Sequence, residues 1–357
     1  MKQVLIVKTS AIGDVLHTLS VIDYLKGRFP RCQIDWVVEK PSASLLKSHP
    51  GLDRVLVVDT KLWRRSPFRH RKAISSFIQE MRGKTYDVLF DLQGNAKSGL
   101  ITAFASARRK VGYGWNTLPE RLNYIATNVH LPACTEGNIR TRNLRLLLDY
   151  FGDDEPSISS RLSLLLTQRE ENRLQSLKGL SFGGGPKVMV CFGSKWRNKQ
   201  LSEPVLLAFL KRVAAEVSPS FFFIYGNEKE KELAEKLELE FSGSGHAVGE
   251  MSLPLWQQLM EAMDLVLTVD SAALHLCGTT STPSFSVFGP SSPHVYKPFG
   301  DEHTAFQGSC PYGQRFDQRC PRLRTCETGA CIQNLSADLL FNEFSKFWKR
   351  ISQLTPV

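Results

Sequence analysis

No apolar run in this 357-residue chain approaches the ~18–20 residues that a membrane-spanning helix needs; Phe221–Tyr225 is typical of the longest. The opening also lacks the apolar region of a signal peptide, because Val4–Val7 is followed at once by Lys8 and soon by Asp14. Cysteine is sparse: eight residues are too few for a disulfide scaffold and better suited to a reducing cytosol. Two nucleotide-handling patterns are missing as well. The turn after the first expected strand holds a single glycine, not the G-x-G-x-x-G of a dinucleotide site, which disfavours a nicotinamide or flavin enzyme. No Asp-x-Asp pair is present to hold a diphosphate through a metal. A soluble intracellular protein without a dinucleotide cofactor is expected.

What is present is ordinary globular material, 42% hydrophobic and 22% charged. At roughly 150 residues per domain the length suggests about two domains. The net charge of +10 is unevenly placed. Residues 1–150 hold 24 Lys and Arg against 12 Asp and Glu, whereas the remaining 207 residues hold 21 against 23. The first half should therefore face something anionic, either nucleic acid or a phosphate-bearing membrane surface.

Short β-branched runs alternate with helical patterns in both halves. The first series has strands at Val4–Val7, Gln33–Val38, Val55–Val58 and Val88–Asp91, with helices at His17–Phe29, Ala43–His49 and Ala73–Met81. The second has strands at Lys187–Cys191, Phe221–Tyr225, Ala247–Val248, Leu265–Val269 and Ser284–Phe288. Its helices are Glu203–Glu216, Glu228–Glu240, Leu253–Ala262 and Ala272–Gly278. Such alternation is the signature of parallel sheets covered by helices. Gly183-Gly184-Gly185-Pro186 is the expected linker, and Leu335–Ser352 a terminal helix; no sequence repeat is evident. Two α/β units on a short hinge imply a cleft, with ligands bound beyond the carboxyl ends of the strands.

Five segments carry chemistry. Lys8–His17 follows the first strand and places Gly13 and Asp14 where a new helix exposes its N–H groups. Asp14 there is either a helix cap with a solvated carboxylate or a catalytic carboxylate. Thr268–His275 repeats the arrangement in the second half. Asp270 ends a strand, Ser271 and Ala272 begin a helix with small side chains that admit a diphosphate, and His275 follows one turn on. The bland alternative is an ordinary cap followed by a core histidine. Phe192–Lys199 packs a glycine, Ser194 and the cations Lys195, Arg197 and Lys199 into eight residues, suited to phosphate oxygens or simply to solvent. Lys61–Lys72 holds six Lys and Arg with no acid, interleaved with Trp63 and Phe68. A membrane surface, nucleic acid and solvent are the three readings. Finally Cys310, Cys320, Cys326 and Cys331 cluster near the end, with irregular gaps that leave structural zinc or free thiols open.

Together these segments resemble the bacterial lipopolysaccharide heptosyltransferases, glycosyltransferase family nine, with the opening most like the heptosyltransferase I branch. The resemblance rests on VLIVKTSAIGDVLHTL at Val4–Leu19, DWVVEK at Asp35–Lys40 and FDLQGNAKS at Phe90–Ser98. It continues through YG at Tyr225–Gly226, MSL at Met251–Leu253, VDSAALHL at Val269–Leu276 and VFGPSSP at Val287–Pro293. The chain departs from it at Leu201-Ser202, where the family often has Trp-Pro. Its Cys-rich tail is more like heptosyltransferase II.

The resemblance implies an α/β protein of the GT-B fold, two Rossmann-like parallel-sheet domains facing across a cleft. On the expected linker, residues 1–182 form the acceptor-binding domain and 186–334 the nucleotide-sugar domain. Residues 335–357 form a helix packing back toward the first domain. The implied reaction is an inverting transfer of L-glycero-D-manno-heptose from ADP-heptose to the Kdo-lipid A inner core. A heptosylated core is the acceptor if the chain is of type II or III. Asp14 is then the general base, and Ser194, Lys195, Lys199, Ser271 and Ala272 line the diphosphate. Asp270 and His275 lie near the donor sugar, Tyr225, Glu230 and Met251 line the nucleoside pocket, and Lys61, Arg64, Arg65 and Arg69 face lipid phosphates. No cofactor or metal is required, since cations and a helix dipole can hold the departing charge. A monomer on the cytoplasmic face of the inner membrane is implied, with no nucleic-acid partner. The competing class, a basic non-catalytic nucleic-acid-binding protein, would need no phosphate cradle in a second domain.

Overall fold

Runs of aliphatic residues with no polar alternation suit strands buried on both faces, and the chain builds two sheets of that kind. The computed structural model describes residues 1–154, 161–180 and 184–354. They form two units, Met1–Ser159 and Ser160–Val357. In the first, β1 (Gln3–Val7), β2 (Gln33–Glu39), β3 (Arg54–Val58), β4 (Tyr86–Asp91), β5 (Ala107–Tyr113) and β6 (Val129–Leu131) lie in the order β3-β2-β1-β4-β5-β6, all parallel. This is the doubly wound order whose direction reverses between β1 and β4, the place where such sheets bind ligands. Asp35 lies fully buried on β2. It is tolerated because the Tyr86 hydroxyl donates to it at 2.7 Å and the Lys84 ammonium at 3.0 Å. Asp35–Val38 of the DWVVEK segment are thus sheet interior.

The second unit repeats the plan. Its strands β7 (Lys187–Cys191), β8 (Ser220–Ile224), β9 (Gly245–Val248), β10 (Leu265–Val269), β11 (Ser284–Phe288) and β12 (His303–Gln307) lie in the order β12-β11-β10-β7-β8-β9, again parallel, with the switch between β7 and β10. Each sheet therefore gains strands that periodicity did not signal. In β5 Ala107 is followed by the exposed Arg108 and Arg109 and the half-buried Lys110, a cationic run that hides a strand only Val111–Tyr113 announce. β6 is three half-buried residues, and β12 is a half-buried edge. The helices Thr60–Arg65, Ala96–Phe104 and Ile139–Phe151 were likewise unannounced.

Two boundary expectations shift. Gly183 of the expected linker lies outside the described residues, but the chain around it already belongs to the second unit. The helix Gln168–Lys178 starts on a capping box between Thr167 and Glu170, and the Ser252 hydroxyl donates to Glu170. Upstream, Gln257 donates to the Leu162 carbonyl, and Gln258 to that of Leu164 at 3.0 Å. Residues 162–178 are thus stitched onto the helix Leu253–Glu261. Gly185 leads directly into β7, and a Cβ there would fall 1.9 Å from the Ser218 carbonyl oxygen, so only glycine fits. The expected hinge is a tight entry to the sheet.

The final helix, Ala337–Leu354, starts two residues later than expected. Leu340, Phe344, Phe347 and Ile351 enter the core of the second unit, with Phe344 5.8 Å from the Phe209 ring and 5.7 Å from Phe285. Residues 355–357 of the expected helical segment lie outside the described residues.

Phe344→Ala should therefore cost about 3–5 kcal/mol in denaturant unfolding of the second unit. A loss under ~1 kcal/mol, the range of a surface change, would mean that this helix is not core.

Candidate active site

At the switch point of the first unit, β1 runs through Lys8 and Thr9 into the short helix Ile12–Leu16. The turn between them is held from the neighbouring strand, where Gln93 accepts the N–H groups of Thr9 and Ser10 at 3.0 and 3.2 Å. The Lys8 ammonium is buried and donates to the Leu92 carbonyl at 2.8 Å. Burial lowers its pKa, opposed by the charges of Asp14 and then Asp91. Asp91 is itself buried and accepts from the N–H groups of Gln93 and Gly94, from Thr102 and from Asn123. Asp14 sits in the first helical turn, half-buried. One carboxylate oxygen accepts the Ala11 N–H at 3.1 Å; the other takes no hydrogen bond among the described residues. The carboxylate closes the helix start from within rather than serving as its N-cap, which is Ala11.

The same unit carries the basic stretch. Lys61, Arg64 and Arg65 lie on the helix Thr60–Arg65, where the Asp59 carboxylate accepts the Leu62 N–H at 3.0 Å. Arg69 lies beyond it, and all four cations are exposed.

The switch point of the second unit is more tightly built. Asp270, at the end of β10, is 3% exposed, and Lys199 and the Ser291 hydroxyl both donate to one of its oxygens. His275 Nε2 lies 3.6 Å from the other. Burial works to raise the Asp270 pKa, but the charges of Lys199 and then His275, with both hydrogen bonds, hold it below the ordinary value of 3.8. His275 is a buried histidine whose ring lies beside this carboxylate. Ser271 occupies the N-cap of the helix Ala272–Cys277, but its hydroxyl caps nothing. Ser194 and Lys195 lie on the loop after β7, and Lys195 is exposed near the face of Trp196. This loop is not a loose solvated one, because Lys199 is buried and Asn198 donates to the Leu323 carbonyl at 2.7 Å. Gln333 donates to the carbonyls of Arg197 and Gln200 at 3.1 and 2.6 Å.

Beside them, at the ends of β8 and β9, the Gly226 N–H donates to Glu230 at 2.8 Å. A Cβ on Gly193 would lie 2.5 Å from that carboxylate, and one on Gly249 would lie 2.1 Å from the Tyr225 ring. These two glycines let a carboxylate and an aromatic face close on the loops, and Met251 follows directly after Gly249 and Glu250. The structure thus groups Lys199, Asp270, Ser271 and His275 in one cluster and sets Glu230 against the β7 loop.

Lys8, Gln93, Asn198 and Ser291 lie inside segments quoted from the sequence, but none was assigned a role there. Cys310, Cys320, Cys326 and Cys331 are free thiols. Burial, and then the nearness of Cys310, Cys326 and Cys320, pushes Cys331 up to about 11. Among the described residues no group of three or more His, Cys, Asp or Glu side chains is placed to hold a metal, so the zinc alternative has no ligand set.

The profile of glycosyltransferase family 9 (heptosyltransferase) matches residues 74–324. Lipopolysaccharide heptosyltransferase 1 of Escherichia coli O18:K1:H7 is 25% identical over 303 residues, covering 84% of this chain and 89% of that protein. Its namesake in Campylobacter coli is 26% identical, covering 83% and 86%. The structure of E. coli heptosyltransferase WaaC with ADP aligns with a TM-score of 0.78 at 24% identity, covering 97% of this chain and 99% of that one. E. coli ADP-heptose lps heptosyltransferase II aligns at 0.74 and 17% identity, covering 99% and 100%.

Removing Lys199 leaves Asp270 buried and less compensated, so Lys199→Met should cost about 3–5 kcal/mol at neutral pH. Because the folded pKa of Asp270 is depressed, its stabilising contribution is complete above the ordinary 3.8 and is lost as pH falls through the lowered folded value. Unfolding curves across acid pH should show the K199M deficit shrinking as Asp270 protonates. A deficit independent of pH would mean that lost packing, not the charge pair, causes it.

Proposed function

The chain belongs to glycosyltransferase family 9, the heptosyltransferase family, and from that membership we propose that it transfers L-glycero-D-manno-heptose from ADP-heptose to the Kdo sugar of the lipid A inner core. The heptosyltransferases among its relatives support the reaction, and the solved E. coli heptosyltransferase carries ADP. The observation that carries the reading to residues is the pair of switch points. One holds a carboxylate with an unbonded oxygen, the other a buried Lys199–Asp270–His275 cluster beside small residues at a helix start.

In this reading Asp14 is the general base. It takes the proton from the acceptor hydroxyl as that oxygen attacks the anomeric carbon, and ADP leaves from the opposite face with inversion. The leaving diphosphate gathers negative charge. Ser194, Lys195, Lys199 and the N–H groups at Ser271 and Ala272 meet it, and such prearranged donors usually supply the larger part of the acceleration. Lys199 is already balanced by Asp270, so among the described residues the cation of this set without an ion pair is Lys195. Asp270 and His275 contact the heptose. Tyr225 offers the adenine a flat face, Glu230 accepts ribose hydroxyls, and Met251 closes the pocket. Lys61, Arg64, Arg65 and Arg69 meet the phosphates of the lipid acceptor. The enzyme works as a monomer on the cytoplasmic face of the inner membrane; no helix among the described residues is long and apolar enough to cross one.

Asp14→Ala should fold, keep the rise in melting temperature that ADP causes in the parent, and lose at least about 10²-fold in turnover. Near-parental transfer would remove Asp14 as base, and no stabilisation of the parent by ADP would remove the donor assignment. Offering ADP-heptose with Kdo-lipid A and with a heptosylated core decides the acceptor. Replacing Arg64 and Arg65 by Gln should raise the KM for the phosphorylated acceptor and leave kcat unchanged, the signature of lost uniform binding.

A further inference from the structure

The helix Arg71–Arg82 buries Phe77 and Met81 against the first unit. A second face of it lines an open groove of about 780 Å³ that the proposed reaction does not use. Arg71, Ile74, Ser75, Ile78, Gln79 and Arg82 line it at spacings of three and four, so they share one side of the helix. The turn before the helix closes the groove with Pro67 and Phe68, and Phe68 is 90% exposed. Phe68 and the half-buried Ile74 and Ile78 together form an apolar strip open to solvent.

The charges about it have one sign. Arg71 and Arg82 stand at its two ends, and Arg64, Arg65, Arg69 and Lys72 flank Phe68. The acid of this helix, Glu80, is on another side and pairs with Arg54 at 3.0 Å. An apolar strip with a purely cationic border matches an anionic lipid surface, in which hydrocarbon lies just beneath negative head groups. Nucleic acid would satisfy the cations but offer nothing to Phe68, Ile74 and Ile78.

We propose that this groove docks the protein on an anionic bilayer, with Phe68 inserted among the acyl chains and Arg71 and Arg82 at the head groups. The proposal deepens the membrane placement given above; it adds the apolar contact and moves the docking site beyond the acceptor-binding cations.

The test is co-sedimentation of the full chain with vesicles of equimolar phosphatidylglycerol and phosphatidylcholine, with neither donor nor acceptor present. Failure of heptose transfer therefore leaves its result untouched. The parent should bind these vesicles, release at high salt, and bind pure phosphatidylcholine far less. Phe68→Ala, at an exposed position, should leave the melting temperature unchanged yet weaken binding about tenfold, the transfer value of a phenylalanine side chain. Arg71→Gln should weaken it about fivefold. Parental binding by both variants would overturn the proposal, as would equal binding to neutral vesicles. Loss in Phe68→Ala of a self-association seen in the parent would overturn it too, by assigning the groove to a second copy.

Discussion

A carboxylate enclosed at the end of a sheet strand is stable only if its charge is answered on the spot. Asp270 sets that demand in the second unit, and much of the surrounding architecture is arranged to meet it. Lys199 must come back from the loop after β7, Ser291 from the turn after β11, and His275 from the helix that follows. Leaving any one partner out would strand charge in a low-dielectric interior, a penalty of several kcal/mol. The loop that delivers Lys199 is in turn tied down by Asn198 and Gln333 to the chain near Cys326. The Cys-rich segment, which invites a metal-site reading, braces the loop that neutralises the buried acid.

The switch point of the first unit answers the same problem with less charge. Its buried acid, Asp91, is met by neutral donors from Gln93, Gly94, Thr102 and Asn123, and the cation nearby, Lys8, is spent on a backbone carbonyl. Asp14 is therefore left with one modest hydrogen bond. Asp270, by contrast, is held by Lys199, His275 and Ser291 so that it stays ionised and fixed. The two switch points share a topology and differ in chemistry.

That shared topology explains why the two units are legible to different degrees. The strands at the centre of each sheet are continuous apolar runs, and their boundaries were readable to within a residue or two. Three strands were not. β5 carries three consecutive cations, β6 spans three residues, and β12 is half-exposed; such strands owe their existence to the neighbours they pair with rather than to their own pattern. No sequence repeat betrays the doubled sheet order, because that order needs only apolar strands and covering helices, which many sequences supply. The entry at Gly185 was misread for a related reason. Glycine beside proline looks like a joint, but here it marks the one place where the backbone must pass against Ser218.

The chemistry divides along the same line. The order of residues was enough to set Asp14, Asp270 and Ser194 at strand ends, because a helix that follows a strand in a parallel sheet has to begin there. It was also enough to mark Lys61–Lys72 as a cationic stretch and, by likeness, to name the family. It could not say that Lys199 is consumed by Asp270, that Gln93 holds the turn before Asp14, or that Phe68 caps a groove. Those facts are pairings between segments many residues apart, and the free energy that selects them, charge against charge in a dry interior and ring against water at a surface, exists only once the chain has closed on itself.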